Sequence, residues 1–301
     1  MASWEDDRTS GSSDVAGAFL ADLERWIGID RSVSPAALRT SLLAEIRHAQ
    51  AAQPSFALIH QLGARALAVA DTALERGDTL AGLRARLAES CAAERQDLAA
   101  TGQGVARMAA ALVTERGGWI ATLSLSTAVH DALLEARRRG LEPRVLVAES
   151  RPGLEGRTQA ARLGGAGLTT WLVVDAALPL LVSQAAQVWI GADAVTECGV
   201  LNKVGSYALA LAAREHSVPV YALASRRKFL AASTPALSIA EMPATEVWDE
   251  APLGVQPRNV LFEMVPLALL TGVAVEDAVL PPGEAAALAR ERPLPDELSR
   301  A

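Results

Sequence analysis

The sequence predicts an α/β protein: a helical N-terminal domain followed by a mainly parallel, doubly wound sheet domain. Three observations carry this. Over residues 15–115 apolar side chains recur at three- and four-residue spacing in segments rich in Ala, Leu, Arg and Glu. After Gly117-Gly118 short β-type runs alternate with helical stretches, which implies right-handed βαβ units. Most of those runs are continuously apolar rather than alternating, as expected of strands covered on both faces.

Taken in order, residues 1–14 are polar and acidic, a flexible N-terminus without the apolar core of a secretory signal. Residues 15–116 form the helical domain. Ser34-Pro35 starts a helix there, since a capping hydroxyl precedes proline at the first helical position. The stretch 83–114 is one long helix or two, interrupted near Gly102 and Gly104. Residues 117–285 form the sheet domain, with strands expected at 119–123, 144–148, 169–174, 188–190, 218–224 and 259–264. The mostly apolar segment 171–190 is about as long as a membrane span. It contains Asp175, Pro179, Ser183, Gln184 and Gln187, and reads better as strand, short helix and strand. Residues 286–301 remain as a C-terminal tail.

Composition excludes several functions. A chain of 301 residues is long enough for one large domain or two ordinary ones, and its 50% hydrophobic content excludes disorder. A net charge of −7 argues against a nucleic-acid surface. Two cysteines, Cys91 and Cys198, build neither a zinc site nor a disulfide framework, so no metal and a reducing cytoplasm are expected. Of 28 basic side chains only Lys203 and Lys228 are lysine, and the other 26 are arginine.

In an open parallel sheet, ligands collect at the carboxyl ends of the strands. The expected strands lead there into Ser124 and Ser126, then Glu149, Ser150 and Arg151, then Asp175, Asp193, and Arg226 to Lys228. Asp193 follows a buried strand, where partial burial would raise its pKa and suit it to hold a proton. Asn202 and Lys203 precede Gly205, which opens an apolar-periodic helix. That is a phosphate seat, or a capped loop with a solvent-facing lysine. Arg151 offers a bidentate fork to phosphate or carboxylate, or it sits in a turn paired with Glu149 or Glu155. Cys91 lies on an apolar helical pattern and reads as core, and His130 as a helix histidine.

Several of these segments together resemble a known superfamily: ESRPGLEGR (149–157), VVDAAL (173–178), GADAV (191–195), NKVGSYALALAA (202–213), VPVYALASRRKF (218–229) and NVLFEMVPLALLTGVAVEDAVL (259–280). The superfamily joins the alpha, beta and delta subunits of translation initiation factor 2B to ribose-1,5-bisphosphate isomerase and methylthioribose-1-phosphate isomerase. The resemblance implies a helical N-terminal domain on a Rossmann-like domain, usually dimeric or higher. It implies no cofactor, with a phosphorylated sugar or nucleotide as ligand. By position it assigns Asp193 as catalytic acid, Asn202 and Lys203 as phosphate contacts and Lys228 as a further substrate contact. A Thr-x-Cys motif in the isomerases handles the proton at the adjacent carbon, and here it reads Thr122-Leu123-Ser124. Ser124 is a far weaker base than a thiolate. Cys198 lies in a shortened 196–201 loop and reads as a buried small residue or as a thiol replacing the lost one. The isomerases' arginine-glycine loop has only a faint echo in Leu62-Gly63-Ala64-Arg65, read more economically as helix. Two functions follow as expectations. One is an aldose–ketose sugar-phosphate isomerase, and the other a non-catalytic sensor or regulatory subunit.

Overall fold

Local capping chemistry sets the helical half. A computed structural model describes residues 4–7, 9–114, 117–234 and 237–299. Helix α1 spans Ser12–Ile29, α2 Pro35–Ala52, α3 Ala57–Glu75 and α4 Leu80–Ala110. The Ser34 hydroxyl accepts the Ala37 N–H at 3.2 Å with Pro35 at the first helical position, so α2 starts where its sequence says. Thr79 caps α4 in the same way through the Gly82 N–H at 3.1 Å. Helix α4 continues through Gly102 and Gly104 as a single helix of 31 residues. The apolar faces of these helices close on a core that includes Phe19, Leu23, Leu38, Ile46, Ile59 and Leu87. Leu62 and Gly63 belong to the buried face of α3. Trp4 packs edge-on against Phe19 at 5.3 Å, and Gln53 donates to the carbonyls of Trp4, Glu5 and Asp7. Residues 4–7 are thus anchored where a flexible stretch was expected. Glu115 and Arg116, at the expected domain junction, lie outside the described residues.

The second half alternates strand and helix: β1 Trp119–Leu123, α5 Thr127–Arg138, β2 Arg144–Ala148, α6 Glu155–Gly165, β3 Thr170–Val173, α7 Leu178–Leu181 and β4 Gln187–Ile190. A short hairpin follows, β5 Ala194–Val195 and β6 Val200–Lys203, then α8 Ser206–Glu215 and β7 Val220–Leu223. The remaining elements are β8 Glu241–Met242, β9 Asn259–Val260, β10 Phe262–Val265, β11 Gly272–Ala274, β12 Val279–Leu280, α9 Pro282–Arg290 and α10 Asp296–Ser299. The main sheet has the order β12-β11-β7-β4-β1-β2-β3, parallel except for β12. One face packs Ala121, Leu146 and Ile190 against Leu209 of α8 and Ala285 of α9. The other packs Ile120, Val145 and Trp189 against Val129 of α5 and Val105 of α4. Helix α4 therefore belongs to both halves.

Three expectations change. The run 259–264 is not a strand of the parallel sheet. It divides into β9 and β10, and β10 pairs antiparallel with β6 in a separate sheet, Val265 opposite Val200. Its apolarity comes from Phe262 and Met264, which pack on the helical core, and an apolar run does not specify which sheet it joins. The place beside β7 goes to β11, whose three residues are too short to register as a pattern. Strand β3 is an edge: Trp171 and Leu172 are 49% and 45% exposed, so it is not covered on both faces. Finally, the expected tail from residue 286 begins inside α9, and Leu294 and Leu298 are buried in the helical core. The segment 171–190 forms strand, short helical turns and strand, and among the described residues no helix is long and apolar enough to cross a membrane.

Candidate ligand pocket at the carboxyl edge of the sheet

Strand β1 ends in a backbone conformation that few L-residues adopt. Ser124 has φ +61°, and its N–H donates to Ser150 Oγ at 2.7 Å. Ser150 (φ +63°) closes the end of β2 in the same conformation, its N–H donating to Asp175 Oδ1 at 2.7 Å. Asp175 Oδ2 accepts the Arg151 N–H at 2.8 Å. One carboxylate just past β3 thereby holds two strained strand ends in register, and such strain concentrates at functional sites. Gly156, in the first turn of α6, lies so close to β2 that a Cβ would fall 1.8 Å from the Ala148 carbonyl oxygen. That approach brings Glu155 inward to the sheet edge.

A cavity of about 40 Å³ lies over this edge, and Ser124, Asp193, Asn202, Lys203 and Lys228 all line it. Burial raises the Asp193 pKa from the ordinary carboxylate value, opposed by the nearby Lys228 ammonium, a hydrogen bond from Ser12 and Lys203. The Asp193 N–H donates to Leu201 O at 2.8 Å, and its carbonyl accepts from Ala57 at the start of α3 at 3.0 Å. Burial lowers the Lys228 pKa, with Asp193 and then Asp14 opposing. The Lys228 ammonium donates to Ala192 O at 2.6 Å and to Ser12 Oγ at 3.0 Å. Asn202 Nδ2 donates to Ser206 Oγ at 2.8 Å, and that hydroxyl donates to Lys203 O at 2.6 Å.

Lys203 is not solvent-facing. It is 4% exposed on strand β6, and its ammonium donates to Glu155 Oε1 at 2.8 Å. Among the described residues, none hydrogen-bonds the buried Glu155 Oε2. Two ammonium groups and two carboxylates therefore line the cavity. Gly205 sits just behind it at φ +101°, the backbone conformation that lets β6 turn into α8. The Tyr207 N–H in the first turn of α8 is taken by Glu263 Oε1 at 2.7 Å. Arg151 has an exposed side chain and does not line the cavity. The partners proposed for it go elsewhere, Glu149 to Arg157 and Glu155 to Lys203. Among the described residues none hydrogen-bonds the Ser124 hydroxyl. Cys198 is exposed and does not line the cavity, which corrects its reading as a buried residue. Cys91 is core, its thiol pushed up to about 11 by burial. His130 lies in α5, its pKa lowered by burial. Among the described residues no cluster of metal-ligating side chains occurs.

Sequence reasoning missed the N-terminal wall. Residues 9–13 line the cavity, and Ser12 touches both Asp193 and Lys228. The available signal was Gly11-Ser12-Ser13-Asp14 ahead of an apolar-periodic run, which marks a helix start. The N-terminal turns of α1 and α5 face each other here, with Thr127 Oγ1 donating to Asp14 Oδ2 at 3.1 Å.

Comparison with known proteins agrees with this architecture. A Pyrococcus furiosus protein described as translation initiation factor eIF-2B subunit 2-like is 35% identical over 181 residues, 59% of this chain and 63% of that protein. The methylthioribose-1-phosphate isomerase of a Synechococcus strain is 36% identical over 192 residues, 60% of this chain and 56% of the enzyme. The chain thus spans less than two thirds of either relative. The crystal structure of translation initiation factor eIF-2B from Pyrococcus horikoshii OT3 superposes with a TM-score of 0.78 at 24% identity, covering 93% of this chain and 94% of that one. A sequence model of the initiation factor 2 subunit family matches residues 8–282, and the chain belongs to that family.

Proposed function

We propose that the chain binds a phosphorylated sugar in the pocket around Asp193 and acts on it as an aldose–ketose isomerase, with a ribose 1-phosphate or 1,5-bisphosphate as substrate. One observation carries the reading: Asp193, Asn202, Lys203, Lys228 and Ser124, drawn from three strand ends and a turn, line one cavity. Asp193, pushed by burial toward its protonated form, would donate to the ring oxygen of a sugar 1-phosphate and open it. The Lys203 charge is balanced by Glu155, and once Asp193 holds its proton the Lys228 ammonium and the facing N-terminal turns of α1 and α5 supply the field that favours phosphate. The likeness to a methylthioribose-1-phosphate isomerase supports the substrate class.

A second reading is favoured by Ser124, whose hydroxyl has no hydrogen-bonded base among the described residues. It makes the chain a non-catalytic sensor or regulatory subunit for the same ligand class. In both readings it works as a homodimer or larger, a role suited to the exposed apolar side chains Trp171, Leu172, Val174 and Leu180.

The test incubates purified protein with ribose 1,5-bisphosphate and methylthioribose 1-phosphate and follows ketose formation by NMR. Turnover that Asp193→Asn abolishes supports the isomerase. Thermal stabilisation by a sugar phosphate without turnover selects the sensor. The absence of both turnover and stabilisation rejects phosphosugar binding.

A further inference from the structure

Small-molecule sites enclose about 300 Å³ or more, and the cavity around Asp193 encloses about 40 Å³, room for a few waters. What fills the remaining space is the chain itself. Residues 9–13 pass directly over the sheet edge, and Ser12, 3% exposed, sits among the groups that would hold a ligand. Its hydroxyl accepts from the Lys228 ammonium at 3.0 Å and bonds the Asp193 carboxyl, the geometry expected of a ligand oxygen. Beside it lies a cleft of about 440 Å³ between α1, α4 and α5, lined by Ser13, Asp14, Gly17, Leu98, Gly102 and Asp131 among others. Ser13, Thr127, Ala128 and Lys228 line both spaces, so the start of α1, together with the start of α5 and Lys228, forms the wall between them.

We propose that residues 9–13 form a strap that occupies the ligand's place, with Ser12 as a built-in stand-in for a ligand oxygen between Asp193 and Lys228. Binding requires the strap to withdraw, which merges the small cavity with the adjoining cleft. The claim rests on phosphosugar binding at this site and adds the gate that controls it. The bonds that hold the strap are all hydrogen bonds or charge contacts of its own short stretch. Among the described residues they include the two contacts of Ser12, the Thr127–Asp14 hydrogen bond at 3.1 Å, the Thr9 and Ser10 N–H groups on Asp7 Oδ1 at 3.0 and 2.9 Å, and the Asp14 and Val15 N–H groups on Gly11 O at 2.9 and 3.2 Å. Residues 4–7 stay anchored through Gln53 and Trp4, so the segment opens as a loop between fixed ends.

A reversible lock tests this. A Cβ at Gly11, where φ is −66°, would lie 2.9 Å from Thr127 Oγ1 and 3.6 Å from its backbone nitrogen, within disulfide reach. In a Cys198→Ser background, Gly11→Cys with Thr127→Cys closes the strap under oxidation and frees it under reductant. The expected result is at least a tenfold loss of ribose 1,5-bisphosphate affinity on oxidation, restored by reduction, with the wild type indifferent to both. Equal affinity in the two states overturns the strap. If no form binds any sugar phosphate, the phosphosugar reading fails and a ligand-free measurement decides the strap. Ser12→Cys in the same background should react with iodoacetamide at least tenfold faster than buried Cys91 after correction for thiol pKa. A rate equal to that of Cys91 overturns it.

Discussion

Lys203 and Glu155 form an ion pair that is 5% and 4% exposed at the side chains, at the end of β6 and the start of α6. Replacing one partner leaves the other charge buried without compensation, which costs about 3–5 kcal/mol. Lys203→Met should therefore lower unfolding stability by that order in urea, and adding Glu155→Leu should recover most of it. A loss below about 1 kcal/mol for the single variant would show that the pair does not hold the fold together. At this scale the sequence was partly legible. In a chain with 26 arginines, its two lysines both line the cavity. What sequence could not show was that Glu155, 48 positions away, already claims one of them. Spacing along a chain carries no information about a partner brought in by a helix crossing a sheet edge.

Helix α3 carries a buried histidine whose protonation reports on how α2 and α3 pack. Gln50 donates to His60 Nδ1 at 3.0 Å, His60 Nε2 donates to Pro54 O at 3.1 Å, and Gln50 also reaches Leu298 O at 3.3 Å. Burial holds the His60 pKa below its ordinary value of 6.5. The unfolded chain then takes up a proton near pH 6.5 that the folded one refuses, so stability falls as pH drops below that value. Melting temperature should decline from pH 7 to pH 5.5, and His60→Gln should flatten the decline. A His60→Gln profile parallel to the wild type would remove His60 as its cause. Among the elements, β1 and β2 were legible to the residue, because continuous apolar runs bounded by glycine and polar clusters leave little choice. The hairpin β5–β6 was not, since its residues alternate too briefly for any period to show. Ser12 was read as part of a flexible end because nothing local ties position 12 to positions 193 and 228.

On the scale of the whole molecule, α4 is a rod of roughly 46 Å, at 1.5 Å per residue over its 31 residues. Leu83 and Leu87 sit in the helical core, Val105 and Ala109 lie against the sheet, and Glu94 and Asp97 between them grip the Arg227 guanidinium. Arg227 is the residue before Lys228, so the basic turn of the pocket is clamped by the helical half as well as by the sheet, where Glu276 and Asp277 between β11 and β12 hold Arg226. The division at residue 116 read from periodicity therefore separates two patterns of sequence, while α4 binds both into one packed body. Linkage turns the clamp into a two-way relation. If Glu94 and Asp97 set the position of Lys228, a ligand held by Lys228 must in return stabilise the middle of α4 by the same free energy. Amide exchange across residues 91–99 should slow when a sugar phosphate binds, and Glu94→Ala should both erase that slowing and weaken binding from outside the pocket. Unchanged exchange in that segment would mean that the pocket and the helical half are energetically separate. With the clamp in place, a ligand bound at the sheet edge would be felt in the helical half without any domain having to swing.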